Sequence, residues 1–310
     1  MKKLTLIIAI LLLGQISAKT VIVDQSGAGD ATTIQNVFNY TAAGDTVLVR
    51  PGMYIEEVKM PNIKLYLIGS GADVTTIYYI STAVFTGNTD QTISDFNIIS
   101  TTGVGIQTNS NINTIITIKR CVIQAAQYAI DGENGKHVNN SVIDSSGGGI
   151  RVYSEYTKIQ NNVFYNNSSY CVRNYSNNTI TVENNIFIDN TTVLYKQDGD
   201  DYILSIYNCF YNNGLNFSNG AIEGIGDLID TDPKFDDVTK SYLLNSDSPT
   251  RDAGNPAAPF NDGDGSRNDM GIYGGTNSWG TGPVITDLSI SPTTINQGGT
   301  ITIEATAKKK

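Results

Sequence analysis

The sequence predicts an all-β fold, a single-stranded right-handed parallel β-helix with an N-terminal capping helix. Three observations predict it: a repeat of 20–25 residues, apolar residues at three fixed places in each repeat, and Asn, Gly and Ser turns between them. The repeat is plainest in Gln160–Asn167, Glu183–Asn190 and Tyr207–Asn213, where Phe164, Phe187 and Phe210 fall 23 residues apart. The register runs back through Ile143, Ile123 and Ile98.

Five residues earlier stand Ile93, Ile118, Val138, Ile159 and Val182; seven or eight later stand Ile106, Ile130, Ile150, Val172, Leu194 and Phe217. Short apolar strands without a helical period are what a solenoid coil requires. Stacked at ~4.8 Å, each column becomes a buried stripe. A further column, Phe96, Cys121, Ser141, Asn162, Asn185 and Asn208, predicts an internal asparagine ladder. Val47, Val49, Ile63, Leu65, Leu67, Ile77 and Val84 mark less regular first coils. Before them, Thr32-Thr33-Ile34-Gln35 reads as a capping box ahead of a short amphipathic helix, which would cover the open end of the solenoid.

Residues 1–18 read as a bacterial-type signal peptide: Lys2 and Lys3, an apolar run from Leu4 to Leu13, and a small cleavage residue, Ala18. The run is too short for a membrane span, and the expectation is a secreted or cell-surface protein without membrane insertion. Residues 19–280 form the β-helix domain, and residues 283–310 the start of a truncated immunoglobulin-like module or an appendage. The net charge of −10 argues against nucleic acid. Cys121, Cys171 and Cys209 are odd in number and lack metal-type spacing, so they read as buried and unpaired. His137, the lone histidine, reads as a surface residue in a turn.

Gly27–Gln35, Ala43–Val47 and Pro51–Val58 resemble the opening of pectin-lyase-like β-helix proteins, and Asp262–Gly275 is similar to the terminal motif of their bacterial extracellular members. The resemblance implies an extracellular β-helix acting on or holding polysaccharide. It brings no catalytic signature: the aspartate pairs and arginine motif of pectin methylesterases are missing, and Asn88-Thr89-Asp90 lacks its polygalacturonase companions.

Strand alternation predicts the functional face. If the Ile106–Leu194 column points in, Gln107, Asp131, Arg151, Arg173 and Tyr195 point out, and two residues further along stand Asn109, Glu133, Tyr153, Tyr175 and Gln197. Flat aromatics and arginines at coil spacing suit an acidic polysaccharide. Asp131, Glu133, Tyr153, Tyr175 and Tyr195 are the candidate binding residues. By resemblance to β-helix lyases, Arg151, Arg173 or Lys196 would be the catalytic cation. Two acidic groups would hold Ca2+ if it binds: Asp198, Asp200 and Asp201 beside the face, and Asp262, Asp264 and Asp269 near the end. Three readings follow: a polysaccharide-binding module, as a monomer or part of a larger surface protein; a polysaccharide lyase or glycoside hydrolase; and a structural or adhesive spacer.

Overall fold

The computed structural model describes residues 18–109, 113–197, 202–238 and 241–279, and the backbone of Val284–Ser291 and Thr302–Lys308. The proposed signal peptide falls outside them, Ala18 apart.

Each repeat folds into one coil that gives a strand to each of three parallel sheets. One coil, for example, supplies Lys158–Gln160, Val163–Tyr165 and Tyr170–Asn174 in turn. The first sheet has ten strands, from Thr20–Val23 to Ala221–Ile222; the second has nine, from Gly52–Ile55 to Leu228–Ile229; the third has eight, from Val58–Lys59 to Leu215–Ser218. The result is a parallel β-solenoid of about nine turns.

All three apolar columns stack in the expected register. Ile118 pairs with Ile93 and Val138, Phe187 with Phe164 and Phe210, and Val172 with Ile150 and Leu194. The phenylalanines lie ring on ring, with centroids 4.8 and 5.2 Å apart. Removing one such side chain from a dry stack costs ~3–5 kcal/mol.

The asparagine ladder is present: the Asn162 amide donates to Asn185 Oδ1 at 3.0 Å, and that of Asn185 to Asn208 Oδ1 at 3.0 Å. A second ladder, Asn167, Asn190 and Asn213, runs at the next corner. Its signal in the sequence is the doublets Asn166-Asn167, Asp189-Asn190 and Asn212-Asn213, which recur every 23 residues. In both corners one residue turns the chain in the left-handed region, as at Asn161 (φ 55°) and Asn166 (φ 53°). Asparagine tolerates that conformation better than most residues with a Cβ.

The N-terminal helix is one turn, Ile34–Val37, followed by a 3-10 turn, Phe38–Tyr40. The capping box is corrected. Thr33 is the N-cap, and its hydroxyl accepts from Asn36 N; the Ile34 and Gln35 amides go to the Glu56 carboxylate, and Gln35 reaches the Lys59 backbone instead of closing the box. A carboxylate from the next coil competes better for those amides than a neutral local side chain.

After the last coil the chain turns back. A strap running from Phe235 to Trp279 packs Tyr242, Leu244, Met270, Ile272 and Tyr273 onto Val142, Val163, Ile186 and Cys209 of the second sheet's outer face. The left-handed corner asparagines fasten it: Asn140 donates to Ile272 O and Gly274 O, Asn161 to Asp269 O, and Asn184 O accepts from Gly271 N. The motif Asp262–Gly275 is therefore part of a clasp. All three cysteines are buried and unpaired; burial pushes the Cys121 thiol up to about 12. Val284–Ser291 and Thr302–Lys308 pair as antiparallel strands.

Candidate functional site

The third sheet does not follow plain alternation, and this shapes its outer face. In Tyr170–Asn174 and Thr192–Lys196 two successive residues turn inward, Cys171 with Val172 and Val193 with Leu194. Outward positions therefore fall three apart, at Tyr170 and Arg173, and at Thr192 and Tyr195. Gln107 pairs with Asp131, Arg151 with Arg173, and Arg173 with Tyr195, so the expected outward column exists.

Two units make up the face. In the first, Arg151 Nη2 makes an ion pair with Asp131 Oδ2 while the guanidinium lies 4.2 Å above the Tyr128 ring. That ring occupies the space a Cβ on Gly148 would take, 2.6 Å from its nearest atom. Burial alone would lower the Arg151 pKa, but the charge and hydrogen bond of Asp131 raise it overall.

In the second unit Arg173 sits among three tyrosines, 4.9 Å from the Tyr170 centroid, 4.7 Å from Tyr175 and 5.3 Å from Tyr195. Its Nε donates to Gln197 Oε1 at 2.9 Å. Tyr153 stacks on Tyr175 at 4.8 Å with 8° between planes, and Tyr170 meets Tyr195 at 4.4 Å. Asn219 donates to the Tyr195 hydroxyl at 2.9 Å. Among the described residues Arg173 forms no ion pair, whereas Arg151 does. Each cation–π contact is worth ~0.5–1 kcal/mol when exposed and more when desolvated.

Of the expected residues, Asp131, Arg151, Tyr153, Arg173, Tyr175 and Tyr195 come together, and Glu133 is exposed at the rim beyond Gly132. Lys196 is corrected. It lies two residues past Leu194, hence inside, 1% exposed, with Nζ donating to Ser176 O at 2.9 Å. Tyr128 and Tyr170 were missed because strict alternation assigns them to the interior. Lys136 was missed as well: it pairs with Ile116 at an inward place, fully buried, with Nζ on Gly132 O and Asn134 O. Burial holds its pKa down to about 7, against an opposing pull from Asp131.

Asp262, Asp264 and Asp269 do not converge on a cation position. Asp198, Asp200 and Asp201 lie outside the described residues. Asp264 accepts from Ser266, Asp269 from Asp252 N, and Asp262 from Asp269 N and Gly275 N. No group of three His, Cys, Asp or Glu side chains placed for a metal occurs among the described residues. Nor do they contain a helix long and apolar enough to cross a membrane. His137 is corrected from a turn to a strand, Gly135–Asn139, half-buried on the outer face of the first sheet.

No family model matches the sequence, and no curated protein matches it. Similar solved structures are pectin methylesterases, right-handed parallel β-helix proteins of the superfamily the sequence resembles. The enzyme PemA from Erwinia chrysanthemi is 10% identical, with a TM-score of 0.43 over 65% of this chain and 80% of that one. A pectin methylesterase in complex with hexasaccharide VII is 10% identical, with a TM-score of 0.38 over 65% and 81%. The Aspergillus niger enzyme is 11% identical, with a TM-score of 0.29 over 74% and 89%.

Proposed function

We propose that this chain is an exported carbohydrate-binding β-helix that holds an extended acidic polysaccharide along the outer face of its third sheet. The observation that carries the reading is Arg173 set among Tyr170, Tyr175 and Tyr195, with a neutral amide as its hydrogen-bond partner. A guanidinium set among rings can offer its remaining N–H groups to a carboxylate or sulfate, while the rings stack on sugar faces. Arg151 is engaged by Asp131, so Arg173 is the anion-recognising residue and Arg151 orders the surface beside it. Export is proposed on the basic start and apolar run of residues 1–18.

The test is incubation of the mature protein with polygalacturonate, alginate and a sulfated galactan, with and without Ca2+. Absorbance of unsaturated products and retardation in affinity gels are read together. Retardation without new absorbance, lost in Arg173→Ala and largely kept in Arg151→Ala, is the expected result. A rise in absorbance abolished by Arg173→Ala would make the protein a lyase on the same face. Neither signal would leave the spacer reading.

A further inference from the structure

The outer face of the first sheet carries a second groove, separate from the arginine–tyrosine face. Two cavities, about 530 and 270 Å3, lie along it and share Ile115 and His137 in their linings. The groove floor is one outward position of the sheet followed from coil to coil. Tyr66 pairs with Thr92, Thr92 with Thr117, Thr117 with His137, His137 with Lys158, and Lys158 with Thr181. At ~4.8 Å per coil these five steps span ~24 Å. Tyr156, 51% exposed, forms one wall, and the same residue closes over Gly135, where an added Cβ would lie 2.9 Å from its side chain.

The lining has little net charge. Lys64 and Lys158 stand against Asp90, Glu155 and Glu183, and Glu183 is occupied by the Gln160 and Asn255 amides. Burial, with Lys158 adding to it, keeps the His137 pKa below its usual value, so at neutral pH the ring is uncharged and offers one donor and one acceptor. Hydroxyls, an imidazole and an ammonium set at coil spacing match a polymer that repeats a hydroxyl-bearing unit, and the Tyr156 wall matches the apolar faces of its rings. A peptide fits less well. Backbone groups of the interior strands are already paired to both neighbours, so a peptide cannot add as a strand to the middle of this face.

We infer that the groove along Tyr66, Thr117, His137 and Tyr156 is a second binding site, for an uncharged polysaccharide in extended form. It is independent of the proposed acidic-polysaccharide face. The experiment is affinity electrophoresis of the mature protein in gels holding hydroxyethylcellulose, galactomannan or arabinogalactan, with polygalacturonate in a fourth gel. At least one neutral gel retards the protein. Tyr156→Ala weakens that retardation about tenfold, His137→Ala weakens it less, and Arg173→Ala leaves it unchanged. Tyr156 is half-exposed, so an unchanged melting temperature certifies its variant as folded. No retardation in any neutral gel overturns the inference, as does retardation indifferent to Tyr156→Ala. Loss in Arg173→Ala also overturns it, by placing the neutral chain on the third sheet. Retardation by denatured casein that depends on Tyr156, without any by the glycans, would make the groove a peptide site and overturn it too. Polygalacturonate reports the third-sheet face separately, so either proposal can fail alone.

Discussion

The second and third sheets are built from the same coils, and their inner columns are equally apolar, yet their outer faces have opposite fates. On the second, Val142, Val163, Ile186 and Cys209 point outward and are sealed by Met270 and Ile272 of the strap. On the third, Asp131, Arg151, Arg173 and Tyr195 point outward, and no strap lies over them among the described residues. A β-sheet has two faces and the solenoid interior uses only one. Apolar alternate residues make the other face able to recruit the protein's own chain, and a distant segment that fits them is needed to cover it.

Breaking the covered face has the largest expected effect. Met270→Ala lowers unfolding stability by ~2–5 kcal/mol in urea titration, because it leaves a cavity against the second sheet. An equal loss from Tyr175→Ala would erase the distinction between the faces. Arg173→Ala makes the opposite change, costing tenfold or more in polysaccharide affinity with the urea midpoint nearly unmoved.

Two titratable groups with displaced pKa values sharpen the comparison through pH. Burial pushes the Asp262 carboxyl up to about 7, against the amide bonds that lower it. Its folded pKa lies above the unfolded value, so the strap is most stable below about pH 4 with respect to this group. That contribution is lost as pH rises toward 7. Asp262→Asn should flatten that window in melting temperature against pH. Lys136, behind the open face, has the opposite displacement, with its folded pKa depressed to about 7. Its contribution is present above about pH 10.5 and is lost as pH falls toward 7. Lys136→Met should therefore flatten the alkaline window and leave the acid one unchanged. The smallest effect belongs to Tyr153→Ala, ~0.5–1.5 kcal/mol from the lost stack on Tyr175.

Much of this was legible in the chain. Phe164, Phe187 and Phe210 announce their stack because a 23-residue interval can place them on one line only if each repeat is one coil. Asn162, Asn185 and Asn208 announce their ladder for the same reason. Arg173 and Tyr195 followed from counting one residue past a column already known. The count failed where the backbone bends: the double inward step at Cys171-Val172 brings Tyr170 outward, and no residue type in the sequence marks it. Lys196 misled differently, and Lys136 gave no signal. A lysine inside a solenoid contradicts its hydropathy, and it is tolerated because turn carbonyls such as Ser176 O and Gly132 O lie within its reach.

The sequence by itself determined the coil, its register and which residues share a column, because stacking makes every coil repeat its neighbour's inward chemistry. The tertiary structure alone decided which outer face would be covered. The packing of Met270 and Ile186, 84 positions apart, into one cluster obeys no period. The strap binds where corner asparagines at Asn140, Asn161 and Asn184 turn their hydrogen-bonding groups outward. That choice rests on long-range complementarity, which no local pattern encodes.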